Sequence, residues 1–132
     1  MFNQNQELQK LINIALDKEM YPEVLKYLYG ALKEDIVSNR ELRRSLSLNE
    51  NCPVEILEKL IKDEIPEIRA NAARHKDATA KMIASCVKDD VKEVRLEAVK
   101  NPVITEDTLW QFVKDDDEDV VKLARSVLKA RL

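Results

Sequence analysis

The chain contains a single glycine, Gly30, among 132 residues. Dinucleotide-binding and Walker A phosphate loops need two or more glycines, because side chains would block the backbone from the phosphates. Tight β-hairpins also favour glycine at positive φ, so a sheet of short hairpins is not expected. The abundant Leu, Ala, Glu and Lys favour helices instead. The scarcity of glycine therefore excludes phosphate-loop proteins and indicates an all-α fold.

Secreted and membrane-spanning classes are not expected either. No apolar run approaches the roughly 18 residues that cross a bilayer, and the start, Met1–Gln6, lacks the basic and apolar regions of a signal peptide. Cys52 and Cys86 form no C-x-x-C motif, which is typical of free thiols in a reducing compartment. The net charge of −3 is not that of a polycation. We therefore expect a cytoplasmic protein without a membrane partner.

The sequence repeats with a period of 26 residues. Segments 54–63, 80–89 and 106–115 align without a gap, and each ends in Lys-Asp. The segments that follow them keep the same register. Five columns of this alignment are apolar throughout: Leu57, Ile83 and Leu109; Leu60, Cys86 and Phe112; Ile61, Val87 and Val113; Leu42, Ile68, Val94 and Val120; Leu46, Ala72, Ala98 and Ala124.

Each repeat has the apolar spacing of two helices. The first helix carries a stripe at i, i+3 and i+4, such as Leu57, Leu60 and Ile61. The second helix is shorter and carries a pair at i and i+4, such as Val94 and Ala98. One such helix pair cannot bury its own stripe, whereas neighbouring pairs can cover one another. The sequence therefore predicts an all-α fold, a right-handed α-solenoid of stacked short helix pairs.

Residues 1–37 do not follow the period. They contain two amphipathic stripes with a break near Pro22, and we interpret them as a divergent N-terminal helix pair that caps the stack. Gly30 lies near the end of the second of these helices, where a left-handed C-cap is often found.

The repeats are predicted to occupy residues 38–132 of a single domain, 1–132. Ser38-x-x-Glu41 has the spacing of a capping box and would open the first complete second helix. Thr105, followed by two acidic residues, is predicted to be an N-cap in the last repeat.

The pattern D-x4-(I/V)-R-x3-A, which begins at Asp63 and again at Asp89, resembles the HEAT-like repeats. The whole unit around 94–115 looks like the leucine-rich repeat variant, a shorter member of that group. The resemblance covers about two-thirds of the chain, from Leu42 onward. It implies an architecture of stacked helix pairs whose second helices line a concave face, and it implies no particular activity.

In such repeats the turn aspartate and the arginine that opens the next helix form ion pairs between neighbouring units. We call this set the Arg–Asp ladder, and its predicted members are Asp63, Arg69, Asp89, Arg95 and Asp115. Val121 stands where the next arginine belongs, so the ladder is expected to end there. Some members of the family carry a cysteine-rich iron–sulfur segment. Residues 1–40 contain no cysteine, so that cofactor is not implied.

The thiols and the single histidine are most simply structural. Cys86 occupies an apolar column and is expected in the core, whereas Cys52 lies in a loop and is the candidate for the more accessible thiol. His75 shares a column with Asn49 and Asn101, so it is expected to make the same turn contact. Two dispersed cysteines and one histidine do not make a zinc site.

Two further features have a structural and a functional interpretation. The acidic run 115–119 lacks the spacing and glycine of an EF-hand, so an exposed turn is favoured over a cation site. Trp110 lies beside a core position and is interpreted as a packing residue, with an exposed contact residue as the alternative. We therefore predict no metal site, no cofactor and no catalytic residues.

Basic residues concentrate in the predicted second helices. Segments 40–48, 66–76, 93–100 and 120–132 contain 12 basic and four acidic residues, which leaves the rest of the chain strongly acidic. On a helical wheel with the core columns facing inward, five positions point toward the predicted concave face: Arg44, Arg74, Leu96, Lys100 and Lys122.

The sequence favours a non-catalytic protein-interaction module that acts as a monomer or weak oligomer. Its mildly basic concave face would bind an acidic peptide or protein. The alternative is a nucleic-acid-binding HEAT-like protein, which the net negative charge and the acidic turns disfavour. An enzyme ranks third, because no spacing assembles an acid, a base and a nucleophile.

Overall fold

A computed structural model describes residues 4–31 and 39–132, and this part of the chain is helical without a strand. The all-α fold class is therefore confirmed. A short 3-10 turn, Cys86–Lys88, lies in the middle of the chain. The helices are α1 (Gln4–Leu16), α2 (Pro22–Ala31), α3 (Arg40–Leu48), α4 (Val54–Leu60), α5 (Pro66–Arg74), α6 (Ala80–Ser85), α7 (Lys92–Lys100), α8 (Glu106–Phe112) and α9 (Glu118–Ala130).

Polar side chains and proline set the helix starts. Thr105 caps α8 as predicted, and Pro66 occupies the first position of α5, where its missing N–H removes no hydrogen bond. The N-cap of α3 is Asn39, whose side chain accepts a hydrogen bond from the Leu42 N–H at 3.0 Å. The capping box predicted at Ser38 therefore gives way to Asn39, and Ser38 itself lies outside the described residues.

The apolar columns of the repeat form the core. Both second-helix columns are completely buried, and the first-helix columns are buried or nearly so. Alanine fills one second-helix column in α5, α7 and α9, and such small side chains let neighbouring helices approach closely. The fully buried second-helix residues are Leu42, Ile68, Val94, Val120, Leu46, Ala72, Ala98 and Ala124.

The second helices pack on one another in chain order: α3 on α5, α5 on α7, and α7 on α9. The first helices α4, α6 and α8 each pack against the second helix that follows them. Helix α2 lies beside α4, where Lys26 Nζ is 3.6 Å from Glu55 Oε1. Lys59 Nζ of α4 also lies 5.0 Å from the ring centroid of Tyr29. Consecutive units therefore share one continuous core.

Helix α1 occupies the place of a second helix at the start of the row, where it packs on α3. The Asn49 side-chain amide donates to the Asp17 carbonyl at 3.0 Å, across 32 residues. Asn101 makes the same contact to the His75 carbonyl at 3.1 Å, across 26 residues. The unit from Asp17 to Asn49 is therefore six residues longer than the 26-residue repeat, and an alignment at that period does not reveal it.

Gly30 does not have the role predicted for it. It lies inside α2 and does not have a positive φ. An added Cβ at this position would meet nothing within 4 Å. The single glycine is therefore not a left-handed C-cap.

Candidate functional site

The Arg–Asp ladder is a set of nearly identical contacts between units. One arginine in each of α3, α5 and α7 donates from Nε to the aspartate 20 residues later. The bonds join Arg43 to Asp63 at 2.7 Å, Arg69 to Asp89 at 2.9 Å, and Arg95 to Asp115 at 2.9 Å. The hydrogen bond to Asp89 raises the pKa of the Arg69 guanidinium. Charge-assisted pairs of this kind join each unit to the next.

Asp89, Arg69 and Arg95 also hold the turns of their own units. The Asp89 carboxylate accepts the Val91 N–H at 2.9 Å, two residues later. Arg95 donates from Nη1 to the Asp89 carbonyl at 2.8 Å, as Arg69 does to the Asp63 carbonyl. The same side chains therefore fix the turn within a unit and the contact between units.

Arg43 is a ladder residue absent from the predicted set. It is buried, and it occupies the column of Arg69 and Arg95 one period earlier, so the signal was present in the alignment. Val121 holds the same column in α9 and has no charge. Lys122 beside it pairs with Glu118 of its own helix, at 3.1 Å.

A second set of contacts runs through the turn column of Asn49, His75 and Asn101. All three side chains are buried and hydrogen-bond to a backbone carbonyl of the preceding unit. Each also accepts the backbone N–H two residues later, at 2.9–3.0 Å. An imidazole and two carboxamides therefore make the same two contacts, one between units and one within the turn.

His75 is fully occupied by these two contacts. Its Nδ1 faces the Asp77 N–H at 3.0 Å, and because an N–H can only donate, this nitrogen is the acceptor. The Nε2, which lies 2.8 Å from the Asn49 carbonyl, then carries the proton and donates it. Both ring nitrogens are therefore engaged in hydrogen bonds to the backbone.

Both thiols are buried, so the expectation that Cys52 is accessible was wrong. Cys52 shares a repeat column with Ala78 and Ile104, which are also buried, and that column is the signal that its loop position obscured. Burial raises the pKa of Cys52 to about 12 and that of Cys86 to about 11.

We expect neither thiol to react at neutral pH in the folded protein. Since both pKa values are raised, the thiolate that attacks disulfide reagents is scarce below about pH 9. Titration with Ellman's reagent at pH 7.5 should release less than one equivalent over an hour, and two equivalents after denaturation. Rapid release from the folded protein would contradict the burial of these side chains.

The acidic run 115–119 is held by neighbouring donors. Asp117 is the N-cap of α9 and accepts the Asp119 N–H at 2.8 Å. Lys92 Nζ lies 2.5 Å from Asp119 Oδ2 and 3.4 Å from Asp117 Oδ2, and so joins α7 to α9. Within residues 4–31 and 39–132, no cluster of three His, Cys, Asp or Glu side chains is placed to hold a metal ion.

The residues predicted for the basic face are placed unequally. Arg44 Nε lies 2.7 Å from Glu67 Oε1 of the next second helix, so its charge is compensated. Leu96 is half-buried against the core rather than presented on the surface. The basic face is therefore less charged around α3 than the sequence predicts.

Arg74 and Lys100 remain exposed at the ends of α5 and α7. Arg74 donates to Asn71 Oδ1 and forms no ion pair with any residue that the structure describes. Lys100 Nζ is 3.7 Å from Glu97 Oε1, a loose contact on its own helix. A hollow of about 250 Å³ adjoins Arg74 and is lined by Ser47, Leu48, Glu50, Asn71, His75 and Lys76.

Trp110 is exposed, so its interpretation as a packing residue was wrong. It shows 54% of its surface, and its indole N–H points to Glu106 Oε1 at 3.4 Å. Its repeat column also contains Glu58, a surface residue, which was the signal for exposure. With Leu128 and Leu132 it borders a hollow of about 320 Å³ at the end of the described chain.

Comparisons of the chain with protein-family models, curated proteins and solved structures found no match in any of the three. No helix in the described part of the chain combines the length and apolar character needed to cross a membrane. Evidence for a function therefore comes from the residues of this chain alone.

Proposed function

We propose that this chain is a non-catalytic protein-interaction module. In this proposal the helix pairs of a single domain stack as an α-solenoid of the HEAT-like, leucine-rich repeat variant type. The exposed cations on its second helices bind an acidic protein segment. Such stacks offer an extended surface rather than an enclosed reaction site.

The observation that carries this proposal is that the buried polar side chains hold the fold together, while the exposed ones remain available. The buried ones that we have described, Arg43, Asn49, His75 and Asn101, join units or close turns. Within the described residues, every buried side-chain nitrogen and oxygen has a hydrogen-bond partner. Little is left for catalysis inside the fold, and the polar groups that remain available lie on the surface.

Among the surface cations, Arg74 and Lys100 fit the role best. They lie on adjacent helices, α5 and α7, which pack directly on each other. Arg74 also adjoins a hollow that can accept a side chain. An acidic segment that crosses both helices would meet both charges, whereas Arg44 and Lys122 form closer ion pairs, with Glu67 at 2.7 Å and with Glu118 at 3.1 Å.

Charge reversal at both positions tests the proposal. We expect Arg74→Glu with Lys100→Glu to weaken the binding of a glutamate-rich, fluorescein-labelled peptide at least about tenfold, because two attractions become repulsions. The measurement is fluorescence anisotropy at low salt, and the helical circular dichroism should remain unchanged.

The matched control is a double reversal outside the second helices, Lys62→Glu in the turn after α4 with Lys81→Glu on α6. It changes the net charge by the same amount at exposed lysines. Equal loss of binding in both variants would show that the peptide responds only to net charge, and so would contradict a site. A band shift of duplex DNA at low ionic strength that the first variant abolishes would favour nucleic-acid binding instead.

A further inference from the structure

The last residues of consecutive second helices occupy one structural position. Each directly precedes a turn residue of the column that hydrogen-bonds between units. The same holds for α1, because Asp17 accepts the Glu19 N–H at 2.9 Å just as Asn49 accepts the Asn51 N–H. We call these helix-end residues the end row: Leu16, Leu48, Arg74 and Lys100.

The end row is exposed and divided into two chemical halves. Leu16 and Leu48 expose 47% and 46% of their surface, and Arg74 and Lys100 are exposed as well. Since α1, α3, α5 and α7 pack in that order, two apolar side chains are followed by two cations. The boundary between the halves lies at the hollow of about 250 Å³, which both Leu48 and Arg74 line.

Helix electrostatics explain only one half of this row. Cations are favoured at a helix C-terminus because they face the negative end of the macrodipole. This effect alone explains Arg74 and Lys100, and no binding protein is needed to account for them. The same effect gives no reason for leucine at the equivalent ends of α1 and α3. A single exposed leucine needs no explanation. Two at successive equivalent positions, continuous with two cations, form a surface with a defined polarity.

The charged residues of the end row itself, Arg74 and Lys100, are both cations, which favours an acidic segment across them. The cations Arg74 and Lys76 and the acid Glu50 line the hollow. Lys76 is joined to Asp77 at 2.9 Å, so that of the two cations lining the hollow Arg74 is the one that forms no ion pair with a described residue. An acidic side chain in the hollow would meet Arg74 on one side and the apolar surface of Leu48 on the other.

We propose that the end row binds an extended protein segment with two apolar residues in one half and two acidic residues in the other. Packed helices lie about 8–10 Å apart, and a segment in the extended polyproline II conformation advances about 3.1 Å per residue with three residues per turn, so that its side chains three apart lie on one side. Successive contact residues of the partner are therefore three apart. This inference rests on the proposed interaction function and names the chemistry of the partner.

Synthetic peptides test the polarity directly. The block peptide carries leucine, leucine, glutamate and glutamate at every third position, with serine between them, and is made in both chain directions. The alternating peptide has the same composition in the order leucine, glutamate, leucine, glutamate. Fluorescence anisotropy with the full chain should show one block peptide binding at least about fivefold tighter than the alternating one, since only it matches both halves.

Variants of the apolar half provide the second arm. Leu16→Ser with Leu48→Ser should remove the advantage of the block peptide, whereas Tyr27→Ser, at an exposed aromatic on α2, should leave it intact. Equal affinity for block and alternating peptides, or an unchanged advantage in the Leu16/Leu48 variant, overturns the inference. If leucine adds nothing but the charge reversal still abolishes binding of the glutamate-rich peptide, the proposed function stands without it. If none of the acidic peptides binds, both proposals fail.

Discussion

Replacing Asp63 with alanine is expected to lower the free energy of unfolding by about 3 kcal/mol, because it breaks a buried ion pair from one side. The Asp63 carboxylate accepts hydrogen bonds from Arg43 Nε at 2.7 Å and from the Ile65 N–H at 3.0 Å. Arg43 is only 5% exposed, so its guanidinium would lose this carboxylate in a place that water scarcely reaches. Urea denaturation followed by circular dichroism measures the change.

The neighbouring acid provides a matched control for Asp63→Ala. Glu64 Oε1 also approaches the Arg43 guanidinium, at 3.7 Å, but the Glu64 side chain is 86% exposed. Glu64→Ala should therefore change the unfolding free energy by no more than about 0.5 kcal/mol. Losses of similar size in the two variants would show that the ladder contributes little to stability.

Asn101→Ala is expected to have an effect of similar size, about 3 kcal/mol, because it removes three hydrogen bonds at a buried site. The carboxamide donates to the Ala73 carbonyl at 2.8 Å and to the His75 carbonyl at 3.1 Å. It also accepts the Val103 N–H at 3.0 Å. Thermal and urea denaturation should both show the loss, and the fold should become less cooperative at its C-terminal end.

Exchange within the turn column shows whether its members are interchangeable. His75→Asn should change the unfolding free energy by less than about 1 kcal/mol, since asparagine can donate to the Asn49 carbonyl and accept the Asp77 N–H. His75→Ala can do neither and should lose about 2 kcal/mol. An asparagine variant as unstable as the alanine variant would refute the equivalence of the column.

The ladder and the turn column together explain why apolar periodicity predicted so much of this fold. Leu42, Ile68, Val94 and Val120 share one column, and all four are completely buried because every unit meets its neighbours in the same way. Apolar spacing reports burial directly, so the helices and their inward faces followed from the sequence.

Features that depend on three-dimensional equivalence were harder to predict. Asp17 belongs to the turn column, but its unit is six residues longer, which moves it out of the 26-residue register. Cys52 lies before a proline in a loop, and only its column reveals that the turn directs its side chain inward. The N-cap of α3 is Asn39, one residue after the predicted Ser38. Serine and asparagine are both favoured at N-caps, so the sequence alone does not choose between two such neighbours.

The sequence indicated which cations lie on the second helices but not which of them form ion pairs. Arg74 and Lys100 are exposed on adjacent helices as a helical wheel suggests. The ion pair between Arg44 and Glu67 depends on how closely α3 and α5 approach each other, and a helical wheel of a single helix holds no such information. The apolar half of the end row was missed because Leu16 has the spacing of a buried stripe, and Leu48 lies outside the apolar columns of the repeat.

Amide chemical-shift mapping shows most directly whether the exposed ends of the second helices form a protein-binding surface. The 15N-labelled chain would be titrated with the glutamate-rich peptide. We predict that the largest shifts occur at and around Leu48, Arg74 and Lys100, with the acidic run 115–119 unaffected. Shifts confined to Trp110 and its surroundings, or no shifts at saturating peptide, would contradict binding at these helix ends.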